Sequence, residues 1–286
     1  MSEAPSIPTA RFLELPQGKL ETFTAPHLGD ATPIVAAHPA STFSGDSAFL
    51  LSNLAERTAI CINPRGLGGS AAVAETSIEE MIDDLEAARL SLELDPWIFW
   101  GMSGGGWLAL AYAHRHPTGL RGMIVESACA CFRQRLADPT CALSPFFPAW
   151  QEPLKEHGCL SPGSHDEALP ANDAIWEEIE GVGQVFRRKS GPALLVSPAP
   201  IEPSMRRAMP MLWDFDARDW LSQIQTPSLV ISGQVDPVVP SSQVRQVHES
   251  LPNSSFVEIA GAGHVPSSTG NEAARDAVRQ FLKTLP

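Results

Sequence analysis

No apolar run in this 286-residue chain approaches the ~18 residues that a membrane-spanning helix needs, and its hydrophobic share is an ordinary 43%. A membrane span is thereby excluded, and a soluble globular protein is expected. Basic residues are in short supply: 20 Lys and Arg stand against 33 Asp and Glu, a formal net charge of −13. That imbalance repels nucleic acid and anionic membrane surfaces, so neither is expected as a partner. Cysteine is scarce as well, with Cys61, Cys129, Cys131, Cys141 and Cys159 forming no C-x-x-C pair. A metal centre or dithiol redox motif has no foothold in that spacing. Cys129 and Cys131 read instead as small buried packing residues. Residues 1–5 lack the basic and apolar stretches of a secretory signal, so the expected location is the cytoplasm. There is no repeat period, no G-K-[ST] phosphate loop and no G-x-G-x-x-G after a strand, so neither a solenoid nor a nucleotide-binding loop is expected.

What the chain does have is alternation. Short β-rich runs fall at 11–15, 20–24, 34–37, 58–62, 97–100, 123–125, 228–231 and 256–259. Amphipathic helical stretches lie between most of them, the clearest opening on a capping box of Thr76 with Glu79. Strand and helix alternating from about residue 33 imply parallel strands joined by crossovers, hence a doubly wound α/β sheet of eight strands. In such a sheet ligands sit at the carboxyl ends of the strands, so the chemistry belongs in the loops that follow them. The alternation fails between Cys131 and Trp213, where 11 of the 26 prolines lie among Phe146, Phe147, Trp150, Trp176, Phe186 and Trp213. A structureless loop of that length is improbable in a compact domain. The expected organisation is a core of residues 1–130 and 214–286 interrupted by a helical lid over 131–213.

The segment 97–110 reads as strand, tight turn and helix start, and it contains G-x-S-x-G as Gly101, Ser103 and Gly105. Glycines are required there because strand and helix cross closely while the turn holds the serine in strained backbone geometry, with its hydroxyl projecting outward. A serine hydroxyl is a weak nucleophile until a base takes its proton. His264 fits that role, in Gly261-Ala262-Gly263-His264-Val265-Pro266 after the last strand. His114 and His116 lie late in the helix after the serine, and His157 and His165 in the lid.

The base needs a carboxylate to hold its tautomer and stabilise the imidazolium. Asp236, in Gly233-Gln234-Val235-Asp236-Pro237-Val238 after the penultimate strand, is the candidate; alone it would read as a turn aspartate before proline. Glu126, ending another strand, is the rival, with a structural hydrogen bond as its other reading. An oxyanion hole needs two donors, and Gly104 N–H supplies one. The second belongs in His38-Pro39-Ala40-Ser41; Pro39 has no N–H, which leaves Ala40, with Ser41 as fallback. His38 either braces this loop or meets substrate. Met102, Trp150, Trp213 and Val238 are the further substrate-binding candidates.

Together, the residues from the His38 loop through Asn63-Pro64-Arg65-Gly66-Leu67-Gly68-Gly69-Ser70 to His264 resemble the α/β-hydrolase superfamily over nearly the whole chain. The loop 65–70 and residues 104–117 look like its lidded branch of esterases, lactonases, carbon–carbon hydrolases and proline iminopeptidases. The resemblance implies a cofactor-independent serine hydrolase of an ester or lactone, possible substrates extending to macrolide-type lactones, with no metal. Amide or carbon–carbon hydrolysis, acyl transfer, cofactor-free oxygen chemistry and a non-catalytic binding protein stay open as alternatives. Two departures stand out: family members commonly carry His-Gly where this chain has His38-Pro39, and the iminopeptidases carry His-Gly-Gly-Pro-Gly.

Overall fold

The computed structural model describes residues 7–27, 31–73, 76–141 and 211–286. Its eight strands are β1 (Arg11–Leu15), β2 (Gly18–Ala25), β3 (Ile34–Ala36), β4 (Ala59–Asn63), β5 (Trp97–Met102), β6 (Leu120–Glu126), β7 (Ser228–Gly233) and β8 (Ser254–Ile259). They form one sheet in the order β1-β2-β4-β3-β5-β6-β7-β8. The pairs β1/β2 and β2/β4 are antiparallel and the remaining pairs parallel. Helices α1 (Gly45–Ala55), α2 (Ile78–Ser91), α3 (Gly104–Arg115), α4 (Phe132–Ala137), α5 (Ser241–Ser250) and α6 (Glu272–Thr284) accompany it.

Both faces of the sheet are covered, so its central strands are apolar throughout rather than alternating with polar residues. Every residue of β5 is buried. Its side chains divide between two cores by the two-residue period of a strand. Trp97 and Phe99 pack with Leu85, Leu108 and Val244 of α2, α3 and α5, whereas Ile98, Trp100 and Met102 pack with Leu51, Leu54 and Val278 of α1 and α6. The helices begin where backbone donors find acceptors: the Asn271 side chain accepts from the N–H groups of Ala273 and Ala274 at the start of α6. At α2 the cap lies one residue later than the sequence suggested. Ser77, not Thr76, takes the extended conformation; its hydroxyl accepts from Glu80 N–H while the Glu80 carboxylate accepts from Ser77 N–H. The run Thr-Ser-Ile-Glu-Glu offers two registers of the same box, and only the start of the helix decides between them.

The sheet brings β6 and β7 together as neighbours, although residues 127–227 separate them in sequence. Of that intervening stretch, 142–210 lie outside the described residues. Its described ends pack down on the core, with Phe132, Leu136, Leu212 and Trp213 all buried.

Strand β5 and helix α3 cross closely. A β-carbon on Gly101 would stand 2.3 Å from the carbonyl oxygen of Gly105, and one on Gly106 2.4 Å from the Ala128 β-carbon. Because the first obstacle is backbone, Gly101→Ala should push α3 away from β5. We expect a loss of about 1–3 kcal/mol, measured by urea denaturation, together with loss of activity out of proportion to the stability change.

Candidate active site

Ser103 links the end of β5 to the start of α3 with φ 51° and ψ −121°, a conformation that few non-glycine residues adopt. Its N–H donates to the carbonyl of Glu126 at the end of β6, at 2.8 Å, which ties the strained turn to the neighbouring strand. Ser103 Oγ lies 3.0 Å from His264 Nε2, and His264 Nδ1 lies 2.8 Å from Asp236 Oδ2. Read with the ionised carboxylate as acceptor, Nδ1 carries the proton and donates it to Asp236, leaving the Nε2 lone pair to accept the serine hydroxyl. The other Asp236 oxygen accepts from the N–H groups of Val238 and Val239, at 2.8 and 3.0 Å. The aspartate is 5% exposed, and both of its oxygens are engaged.

The histidine turn is held from the opposite side by β6. Val265 sits in the left-handed region, and its N–H donates to Ser127 Oγ at 3.1 Å. Glu126, fully buried, accepts from Ser267 N–H at 2.8 Å, Ser267 Oγ–H at 2.6 Å and Trp100 Nε1–H at 3.0 Å. Burial raises its pKa above the ordinary carboxylate range, and these donors oppose the rise. Glu126 therefore fastens the segment just beyond His264, whereas His264 itself is bonded to Asp236. Ser127 and Ser267 escaped sequence reasoning. Nothing local marks them, because the Glu126 to Ser267 contact spans 141 positions.

The remaining candidates are placed as follows. Met102 is 2% exposed and packs with Trp100 and Val265, since alternation along β5 turns it into the core rather than toward a substrate. Trp213 is 4% exposed, and its ring lies 6.0 Å from that of Phe132, which in turn meets Trp107. It belongs to the hydrophobic core. Val238 is half-buried; its carbonyl accepts from the Cys141 thiol at 3.3 Å, so it shapes the Asp236 loop. Trp150, His157 and His165 lie outside the described residues. His114 stacks on Trp220, and His116 bonds Asp83.

The loop after β3 departs from expectation. Ala40 N–H, assigned from the sequence as an oxyanion donor, instead donates to His38 Nδ1 at 3.1 Å. His38 itself is 6% exposed, and its pKa is pushed down to about 3 by burial and, secondarily, by His264. Among the described residues no helix is long and apolar enough to cross a membrane, and no three His, Cys, Asp or Glu side chains are grouped to hold a metal ion.

A family model described as alpha/beta hydrolase fold matches residues 39–153, and one described as TAP-like protein matches 209–285. The chain belongs to the α/β-hydrolase superfamily. Curated relatives of this α/β-hydrolase include a putative carbamate hydrolase, RutD, of Pseudomonas syringae, 28% identical over 77% of this chain and 82% of the relative. A probable proline iminopeptidase of Streptomyces coelicolor is 24% identical, covering 77% and 76%. A pimeloyl-[acyl-carrier protein] methyl ester esterase of Xylella fastidiosa is 26% identical, covering 67% and 72%. The solved structure of an alpha/beta fold family hydrolase from Bacillus anthracis superposes with a TM-score of 0.72 at 21% identity, over 96% of this chain and 100% of that one.

Two predictions follow from the electrostatics. Asp236→Asn should lower kcat by about 10⁴, because an amide favours the wrong histidine tautomer. Glu126→Gln should cost far less in kcat and register chiefly as a lower Tm; steady-state kinetics and thermal melts on both variants test the contrast. For His38, the unfolded chain takes up a proton near 6.5 and the folded protein only near 3, so the unfolded state binds more protons between these values. Its contribution to stability is complete above pH 6.5 and is lost as pH falls toward 3. His38→Asn should therefore flatten the fall in the urea midpoint over that range, measured against wild type at each pH.

Proposed function

We propose that this α/β-hydrolase cleaves a carboxylic ester or lactone of a bulky apolar small molecule through an acyl-enzyme on Ser103. The observation that carries this reading is the unbroken chain from Ser103 Oγ through His264 to a buried, fully bonded Asp236. Ser103 Oγ attacks the carbonyl carbon as its proton passes to His264 Nε2, and Asp236 stabilises the imidazolium. Gly104 N–H, at the first turn of α3, meets the charge that develops on the carbonyl oxygen. The imidazolium protonates the departing alkoxide; water then attacks the acyl group by the same route and restores the serine. The reaction so written needs no metal or organic cofactor.

Support for an oxygen ester comes from the esterase relative and from the His38-Pro39 loop, which lacks the His-Gly-Gly-Pro-Gly of iminopeptidases. The iminopeptidase relative favours a second reading, amide or peptide hydrolysis by the same three residues. Residues 131–213, rich in proline and aromatics, are assigned as a lid that selects large apolar substrates.

Ser103→Ala should leave a folded protein whose turnover falls about a million-fold, and a fluorophosphonate should label Ser103 alone by peptide mapping. Turnover undiminished in the alanine variant would overturn the mechanism. Large hydrophobic esters or macrocyclic lactones should exceed p-nitrophenyl acetate in kcat/KM by about tenfold or more, about 1.4 kcal/mol of transition-state binding. A preference for the acetate would refute the bulky-substrate assignment, and cleavage of an aminoacyl anilide in preference to every ester would favour the amide reading.

A further inference from the structure

The Gly104 amide needs a companion. A tetrahedral intermediate places a full negative charge on the former carbonyl oxygen, and one backbone donor leaves much of it unsolvated in a closed site. The loop that faces Gly104 runs through His38, Pro39 and Ala40. Pro39 has no N–H, and the Ala40 N–H is directed at His38 Nδ1. Pro39 therefore offers the site no donor, and the Ala40 amide is engaged within its own loop.

The side chain of His38 offers one. Accepting from Ala40 N–H fixes Nδ1 as the unprotonated nitrogen, so the neutral imidazole carries its hydrogen on Nε2. The ring stays neutral at working pH because burial opposes its ionisation. Nε2 borders the nucleophile turn: a β-carbon built on Gly104 would stand 2.9 Å from it, and 3.0 Å from the adjacent Cε1. The same edge of the ring thus abuts the residue whose N–H is the first donor. His38 is 6% exposed, and Nε2 lies on the ring edge nearest Gly104. A donor beside the nucleophile turn can meet the negative charge that develops there during the reaction.

We propose that His38 Nε2–H is the second donor of the oxyanion hole, taking the place that a backbone N–H of this loop would otherwise fill. This rests on the reading of Ser103 as nucleophile. As Ser103 Oγ bonds to the carbonyl carbon, the π pair moves onto oxygen. That oxygen accepts from Gly104 N–H and His38 Nε2–H, and both bonds weaken again when the carbonyl reforms and the alkoxide leaves. His38 transfers no proton, and its low basicity keeps it from competing with His264 for the serine proton.

Two substitutions separate a donor from a brace. Asparagine places an acceptor near the position of Nδ1 but nothing at Nε2, so His38→Asn keeps the bond to Ala40 N–H and removes the donor. Glutamine places an amide N–H₂ near Nε2, so His38→Gln keeps a donor and loosens the bond to Ala40. On a p-nitrophenyl ester, His38→Asn should lose about 10²–10³ in kcat with KM little changed, and His38→Gln should stay within about tenfold of wild type. The reverse order, or an asparagine variant as fast as wild type, would overturn the assignment; the latter would return the role to a backbone amide such as that of Ser41. Should either variant fold poorly, the wild-type protein supplies the test. With ¹⁵N-labelled histidine, the Nε2–H resonance of His38 should move downfield when a trifluoromethyl ketone forms its hemiketal on Ser103, and an unmoved resonance would refute the proposal. A wild-type protein that neither turns over esters nor takes the fluorophosphonate would remove the nucleophile reading and this one together. An active, labelled wild type with an unaffected His38→Asn removes this one alone.

Discussion

Gly101 has no room for a side chain, because the carbonyl of Gly105 occupies the space one would fill, and from that crossing the geometry of the site descends. Strand β5 must end and α3 begin within a single residue, so Ser103 takes a positive φ and its hydroxyl leaves the sheet. Its N–H then finds the Glu126 carbonyl on the next strand, and the first turn of α3 points its unsatisfied amides toward the same opening. The strain is local. It persists because buried apolar strands on either side allow neither β5 nor β6 to yield.

The polar groups around this turn form two hydrogen-bonded sets, each built on a buried carboxylate. Asp236 bonds His264, Val238 and Val239 through its two oxygens, and the imidazole stands between it and the serine. Behind them Glu126 spends its lone pairs on Trp100 and Ser267, anchoring the backbone that carries His264 without touching the imidazole. Two carboxylates follow two adjacent strands, and what distinguishes them is the partner each one meets. Replacing either leaves buried donors without acceptors, a cost of about 1–3 kcal/mol for each group so exposed.

Much of this was legible in the residues themselves. All eight strands could be located, because a buried parallel strand such as β5 is a short unbroken apolar run bounded by turns. Ser103, Asp236 and His264 stood out because each follows a strand in the order Ser, Asp, His, and the structure brings these three side chains within hydrogen-bonding distance. What could not be read was whatever depends on pairing distant segments. The sheet order puts β4 before β3, the Glu126 side chain turned toward Ser267, and Met102 faced the core because the pleat assigns its side. The His38 to Ala40 bond is short in sequence yet was equally hidden, since a proline between two residues says that a donor is missing, not where the neighbouring donor turns.

The arrangement of strands also dictates when the site can first exist. Ser103 follows β5 and His264 lies beyond β8, 161 positions apart, with the aspartate's strand β7 joining the sheet only after the long segment that follows β6. On a ribosome adding about 5–20 residues per second, Ser103 emerges roughly 8–30 s before His264. During that interval the elbow is a strained turn without a proton acceptor, Glu126 lacks the serine that caps it, and β6 has an open edge. The chain of hydrogen bonds from Ser103 to Asp236 thus cannot close until the final two strands dock, so completion of the sheet and assembly of the site are a single event.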